Sequence, residues 1–353
     1  MKVLMKGNEA MGKAAILAGC KCFFGYPITP QNEIPEYMSK ALPEVGGSFV
    51  QAESEIAAIN MLYGAAGTGT RCLTSSSSPG IALKQEGITY MAGAELPGVI
   101  INMMRGGPGL GGIQPAQSDY NMCVKGGGNG DYRVISLAPA SVQEAVEMTM
   151  EAFNLADHYR NPVMILSDGI IGQMMEPVDF DIKFERKLEA KTWATTGTNS
   201  KREPNIVNSL YLGAEDLEEH NINLFKKYKE IEEKEQKSES YKTEDADLIL
   251  IAYGTTSRIC RNVVDNLRQE GHRVGMFRPL TLWPFPIVAL NNLKEGSQLL
   301  VVEMSMGQMV EDVRLYSNCK YPIDFYGRTG GIIPTPDEIL IKAKEVLGGR
   351  KCQ

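Results

Sequence analysis

Four short runs constrain this chain most: "PGVIINMM", "NPVMILSD", "DLILIAYG" and "SQLLVVEM". Each is almost continuously apolar, rich in Val, Ile and Leu, and bounded by Gly, Pro, Asp or Ser. A strand that is apolar in both directions must be covered on both faces. That requirement points to parallel sheets sandwiched between helices, not to antiparallel sheets with one wet face. Stretches with helical character separate the runs. "KCFFGYP" reads as a strand, "NEIPEYMSKALPEVG" as a helix, "GSFVQA" as a strand and "SEIAAINMLYGAAGTG" as a buried helix. "RCLTSSSSPGIAL" is a strand that enters a Ser/Gly loop and then another helix.

The pattern breaks near Pro177 and resumes at "DLILIAYGTTSRICRNVVDNLRQEG". "HRVGMFRP" and "SQLLVVEMS" are further strands, "LTLWPFP" a turn-rich stretch and "GQMVEDVRLYS" a helix. Between the two parts lies polar sequence that ends in "AEDLEEHNINLFKKYKEIEEKEQKSESYKTEDAD". This reads as an exposed, salt-bridge-rich helix whose apolar stripe would be Leu217, Leu224, Tyr228 and Ile231. The expectation is an α/β domain over residues 1–177, a charged connector without chemistry over 178–246 and a second α/β domain over 247–353. A length of 353 residues suits that division.

Charge and composition remove several classes. A net charge of −7 with no basic, aromatic-interleaved stripe excludes nucleic acid as a partner. No uninterrupted apolar stretch of ~18 residues exists, so no membrane span is expected and a cytoplasmic location is the default. The seven cysteines are scattered and form no C-x-x-C pair; Cys20 and Cys22 make only C-x-C. The three histidines stand far apart. No metal or iron–sulfur cluster is expected on this chain.

Ligands of open parallel sheets bind beyond the carboxyl ends of the strands. Three loops of the first domain fall there: "GYPITPQNE", "TSSSSPG" and "RGGPGLGGIQPAQSD". Thr29 in the first suits a helix cap with Pro30 in the first helical position, or a ligand contact. Arg105 in the third, followed by two glycines, suits fork recognition of a carboxylate or phosphate, or a surface ion pair. Ser75 to Ser78 lack both a nearby histidine and the G-x-S-x-G elbow, which disfavours a serine hydrolase. "KGGGNGDYR" carries neither G-K-[ST] nor G-x-G-x-x-G, so neither a phosphate loop nor a nicotinamide-binding dehydrogenase is indicated. One further feature stays open. In "FVQAESEIAAINMLYGAAGTGTR", Glu53 and Glu55 flank Ser54 at a helix start. Either they only favour the helix end, by ~0.3–1 kcal/mol each, or one of them faces a pocket.

Taken in order, "GYPITP", "AESEIAAINMLYGAAGTGTR", "TSSSSPG", "NMMRGGPG" and "PVMILSDG" resemble the alpha subunit of 2-oxoacid:ferredoxin oxidoreductases. "GHRVGMFRPLTLWPFP", "VVEMSMGQMVEDV" and "GRTGGIIPTPDEI" extend the resemblance over nearly the whole chain, most weakly over the connector. The loop from Gly109 to Pro115 is similar to the branched-chain (2-oxoisovalerate) type, where the 2-oxoglutarate type has an "RGGPSTGLPT"-like loop.

The resemblance implies a transketolase-like, pyrimidine-binding domain for thiamine diphosphate, followed by a transketolase C-terminal-like domain. It implies CoA-dependent oxidative decarboxylation of a 2-oxoacid, with reduction of ferredoxin. A beta subunit would hold the cofactor's diphosphate and Mg2+, because the G-D-G and N-N elements that do so are missing here. Gly130-Asp131 is followed by Tyr132, and Asn291-Asn292 lies in the other domain. Iron–sulfur clusters would sit on partners, among them a ferredoxin-like delta subunit, with a gamma subunit completing the complex. The resemblance further implies that Glu55 meets N1′ of the aminopyrimidine and so favours the 4′-imino form that activates the thiazolium. Tyr26, Pro27 and Ser77 would touch the cofactor. Thr29 would bond a substrate oxygen, and Arg105 would hold the substrate carboxylate. Glu53 receives no role. Two other readings are an assembly subunit with a degenerate site and the same chemistry on 2-oxoglutarate or pyruvate.

Overall fold

The apolar runs form strands that alternate with helices in a computed structural model, which describes residues 2–184, 186 and 189–349. The chain runs β1 (Val3–Lys6), α1 (Gly7–Leu17), β2 (Cys22–Gly25), α2 (Glu33–Glu44), β3 (Ser48–Gln51), α3 (Glu55–Gly67), β4 (Cys72–Ser76), α4 (Ser78–Gly93) and β5 (Gly98–Met104). It continues through α5 (Tyr120–Val124), β6 (Ile135–Leu137), α6 (Val142–Tyr159), β7 (Pro162–Asp168), α7 (Gly169–Gln173) and β8 (Met175–Val178). After an irregular stretch come α8 (Ala214–Lys234), β9 (Ser238–Tyr241), β10 (Leu248–Ile251), α9 (Gly254–Gln269), β11 (Val274–Pro279) and β12 (Thr281–Trp283). The described chain closes with α10 (Ile287–Asn291), β13 (Gln298–Glu303), α11 (Met309–Tyr316), β14 (Ile323–Gly327) and α12 (Pro336–Gly348).

Seven strands build the first sheet, in the order β12-β6-β7-β5-β4-β2-β3. β5 and β7 lie at its centre and are buried at every position, as their apolar sequences require. All neighbours are parallel except β12, which runs antiparallel to β6. Helix α1 packs on both α2 and α6, and α3 packs on α4. The α3–α4 approach is close because Gly87 faces Ile59, where any Cβ would overlap the isoleucine side chain. Contrary to the expectation of a fully buried helix, α3 leaves Ile56 (48%) and Met61 (37%) exposed.

The second sheet has the order β14-β13-β10-β11-β9, with β9 antiparallel. Its central strands divide their side chains by the two-residue period of a strand. Leu248 and Leu250 of β10 pack in a separate cluster with Val263, Leu267 and Ile339 of α9 and α12. Ile249 and Ile251 join the large core that also contains the first sheet. The two halves thus share one apolar interior.

Three expectations change. "LTLW" is not only a turn: Thr281–Trp283 leaves the second half to become an edge strand of the first sheet. The polar stretch before Asp247 is not all helix; α8 ends at Lys234, and Ser238–Tyr241 joins the second sheet. Nor is α8 a solvated spacer. Leu224, Tyr228 and Ile231 are buried, and Tyr228 meets Trp283 edge-on with ring centres 5.8 Å apart. Leu217, the first residue of the expected stripe, remains 40% exposed. No helix among the described residues is long and apolar enough to cross a membrane.

Candidate active site

The strand order sets the site. β5, β4, β2 and β3 are successive parallel neighbours, so their carboxyl ends lie in a row. Arg105 follows β5, Ser77 follows β4, Tyr26, Pro27 and Thr29 follow β2, and Glu55 opens the helix after β3. Residues spread over some eighty positions of sequence are thereby gathered at one edge.

Ser54 caps α3, its Oγ accepting from the Ala57 amide at 3.2 Å. This leaves Glu55 in the first turn, 7% exposed, beside the helix's unpaired amides. Its carboxylate draws no hydrogen bond from the described residues. Across from it lies Gly80, in the first turn of α4. A Cβ there would stand 2.7 Å from Glu55 Oε1 and would also overlap Ser76 Oγ. The hydroxyls of Ser76 and Ser77 are both buried without a partner. The glycine lets Glu55 Oε1 and Ser76 Oγ close up against the first turn of α4, so a buried carboxylate and two buried hydroxyls without a partner are gathered where a hydrogen-bonding ring would satisfy them. The aminopyrimidine of thiamine diphosphate fits that description. Glu53, by contrast, faces solvent.

Arg105 is 7% exposed, and its guanidinium is engaged within the chain. Nη1 donates to the Thr29 carbonyl at 3.0 Å and Nη2 to the Leu110 carbonyl at 2.9 Å, while Nε is buried without a partner. Among the described residues no carboxylate forms the surface ion pair weighed for Arg105. The structure brings Thr29 and Arg105 into contact, through the threonine's backbone. Thr29 does not cap α2, which begins at Glu33; its Oγ1 instead accepts from Asn32 Nδ2 at 3.3 Å. The loop is held by buried Gln31, which accepts from Ser75 Oγ at 2.5 Å and donates to the Tyr26 carbonyl at 3.2 Å. Tyr26 (38%) and Pro27 stand exposed at the rim.

Two ionisable groups at this edge went unremarked in the sequence. Asp119 is buried beside Arg105 and accepts from Ser78 Oγ at 2.5 Å and Asn102 Nδ2 at 2.9 Å. Burial raises its carboxyl pKa, against the pull of those donors and of Arg105. Lys84 of α4 is wholly buried, and burial lowers its ammonium from 10.5 to about 7, with Glu55 opposing the shift. Neither sits in a recognisable motif; a lone lysine in "PGIALKQEG" reads as a solvated face.

The second half closes one side of the site. Gln308 Nε2 donates to the Ser118 carbonyl at 2.6 Å, and Gln117 Oε1 accepts from the Met304 amide at 2.9 Å. Between these loops lies a cavity of about 500 Å3, lined by Ser78, Pro108, Asp119, Met122, Met306 and Gln308. The glycine-rich segment at 126–130 precedes β6 and so sits at the opposite edge of the sheet, where Thr89 Oγ1 donates to the Asn129 carbonyl at 2.6 Å. Among the described residues no cluster of His, Cys, Asp and Glu has the makings of a metal site.

Residues 13–240 match the family model described as pyruvate flavodoxin/ferredoxin oxidoreductase, thiamine diphosphate-binding. Residues 246–339 match pyruvate:ferredoxin oxidoreductase core domain II. The chain is 50% identical over 346 residues to ketoisovalerate oxidoreductase subunit VorB of Methanothermobacter thermautotrophicus, covering 98% of each. It is 37% identical to 2-oxoglutarate synthase subunit KorA of Methanothermobacter marburgensis, covering 96% of this chain and 97% of the relative. Among solved structures it resembles 2-oxoglutarate:ferredoxin oxidoreductase from Magnetococcus marinus, with 2-oxoglutarate, coenzyme A and succinyl-CoA bound. That match has a TM-score of 0.87 and 28% identity, and covers 98% of this chain but only 65% of the other.

Proposed function

Because this chain belongs to the pyruvate flavodoxin/ferredoxin oxidoreductase family, with an α/β thiamine diphosphate-binding fold, we propose that it is the alpha-type subunit of a 2-oxoacid:ferredoxin oxidoreductase. It carries the pyrimidine half of the active site and works only with partner subunits. The observation that carries the reading is Glu55: a buried carboxylate that accepts no hydrogen bond from the described residues, lying against Gly80 of α4 beside the unpartnered hydroxyls of Ser76 and Ser77.

Thiamine diphosphate, when bound, would supply a nucleophilic carbon for the 2-oxo group and a sink for the electrons of decarboxylation. The residues of this chain prepare that chemistry. Glu55 holds the proton at N1′ of the aminopyrimidine; Ser76 and Ser77 offer their free hydroxyls to the same ring. Tyr26 and Pro27 close the rim. Thr29 Oγ1 bonds a substrate oxygen, and Arg105 holds the substrate carboxylate with the donors that Thr29 and Leu110 leave free. Coenzyme A, the co-substrate, takes up the acyl group. A beta subunit supplies the diphosphate and Mg2+ site, and a gamma subunit and a ferredoxin-like delta subunit complete the complex. Iron–sulfur clusters on these partners carry electrons to ferredoxin.

The substrate is the branched 2-oxoacid 2-oxoisovalerate. Identity is higher to the ketoisovalerate subunit than to the 2-oxoglutarate subunit, 50% against 37%. The loop after Arg105 also carries two exposed apolar side chains, Leu110 and Ile113. The test is reconstitution of the complex and CoA-dependent viologen reduction with 2-oxoisovalerate, 2-oxoglutarate and pyruvate. Glu55→Gln should abolish turnover on the preferred substrate. Full activity of that variant would make this chain an assembly subunit, and faster turnover of 2-oxoglutarate would overturn the substrate assignment.

A further inference from the structure

Lys84 is a residue that neither the fold nor the proposed reaction asks for. Its side chain is wholly buried, and its Nζ donates to Thr74 Oγ1 at 2.5 Å and to the Ser75 carbonyl at 3.2 Å. Both acceptors are neutral, and no carboxylate of the described residues bonds it. A buried ammonium without a bonded counter-ion is a heavy load on a fold, and an apolar side chain of the same length would fill the space.

Among the described residues, the charged groups around it reduce to one. Helix α4 packs on α3, β5 and β7, and Lys84 bonds to β4. β5 reads "GVIINMM" and brings no ionisable group. β7 ends in Asp168, whose Oδ1 is taken up by the Ile170 amide at 2.9 Å. Cys72 of β4 and Tyr63 of α3 are kept protonated by burial. On α4 itself Glu86 is turned outward to the Tyr90 hydroxyl at 2.7 Å, and Asp131 of the neighbouring glycine-rich segment is exposed. Glu55 remains, and its field reaches Lys84. The spacing explains why. Gly80, Lys84 and Gly87 fall at i, i+4 and i+7 on α4, one stripe of the helix. Gly80 faces Glu55 and Gly87 faces Ile59, one turn further along α3, so Lys84 lies between two contacts with α3.

We propose that Lys84 is a positioning residue for Glu55: an ammonium fixed on β4 that supplies the counter-charge to the Glu55 carboxylate. The inference rests on the reading of Glu55 as the group that meets the aminopyrimidine. Lys84 itself touches neither cofactor nor substrate. The ammonium sets the electrostatic field at the carboxylate that would meet the ring nitrogen. Loss of the proton from Lys84 removes that field, which ties turnover to pH near neutrality.

The first test needs only the full-length chain, with lysine labelled at 13Cε and followed by NMR against pH. Surface lysines titrate at ~10.4, and burial lowers Lys227 as well, so the Lys84 signal is assigned as the low-midpoint resonance missing from the Lys84→Met chain. Glu55→Gln should move that midpoint further down by ~1 unit or more, the effect of losing a near opposite charge. An unmoved midpoint would overturn the pairing. The second test uses the reconstituted complex. Lys84→Met should change kcat by about tenfold with KM for the oxoacid within about twofold, and should erase an inflection of kcat near neutral pH. A pH profile identical to that of the parent complex would overturn the positioning role. If the NMR coupling is present but Glu55→Gln leaves turnover intact, the pairing stands and the assignment of Glu55 to the cofactor falls.

Discussion

Replacing Lys84 by methionine should make the chain more stable, by an amount that depends on pH. Burial lowers the Lys84 ammonium from 10.5 to about 7. The unfolded chain keeps the proton up to the higher value and the folded chain only up to the lower one. Between them the unfolded state binds more protons, so stability rises with pH across that window, and the penalty is complete below about pH 7. The full depression corresponds to about 5 kcal/mol. Methionine has similar length and no charge, but it leaves Thr74 Oγ1 and the Ser75 carbonyl without the lysine's two hydrogen bonds. An unpaired buried acceptor costs about 1–3 kcal/mol; the Thr74 hydroxyl can turn to another partner, which keeps the loss toward the low end. A net gain of about 2–4 kcal/mol is therefore expected at about pH 6.5, vanishing or reversing toward about pH 10. Urea denaturation of both proteins at several pH values measures the difference, in which other titrating groups cancel. A constant gap between parent and variant across that range would refute the reasoning, because it would mean that Lys84 keeps its proton in the folded state.

Gly80→Ala places a methyl group against Glu55 Oε1 and Ser76 Oγ, so calorimetric titration of the reconstituted complex should show loss of thiamine diphosphate binding while the far-ultraviolet spectrum is unchanged. Arg105→Ala removes charge-assisted bonds of about 1.5–3 kcal/mol, and kcat/KM for the 2-oxoacid should fall by about 10- to 100-fold. An unchanged value would end its role as carboxylate holder. Tyr228→Ala empties a buried site under Trp283, and the loss of about 3–5 kcal/mol should lower the thermal midpoints of both halves together, as read by calorimetry.

Local signals in the sequence carried far. The Ser54 cap, the acid beside it and the buried strands β5 and β7 follow from spacing and apolarity, which act over a few residues. The loops after β2, β4 and β5 were legible as ligand loops because parallel strands must deliver them to one edge. What escaped depends on distant partners. Thr29-Pro30 has the composition of a helix start, yet that stretch serves other contacts: the Thr29 carbonyl goes to Arg105 and Gln31 to Ser75, and α2 begins only at Glu33. β12 is three residues between prolines, too short for any periodicity, and only its pairing with β6 makes it a strand. Lys84 looks like a surface cation because sequence does not say that the face of α4 it occupies is turned toward β4 and α3.

The borrowed edge strand also orders events in time. β6 has no neighbour on its outer side until Thr281–Trp283 arrives, and that segment is more than a hundred residues further along the chain. During synthesis the nascent N-terminal half therefore waits with an open sheet edge, the kind of surface that pairs promiscuously. Cutting the gene at the apparent border near residue 246 would not yield two soluble modules, because the first would lack its last strand and the second would carry that strand without a sheet to enter. The two halves are matched as parts of one object, and recombining them between relatives requires that β12 travel with the partner it completes.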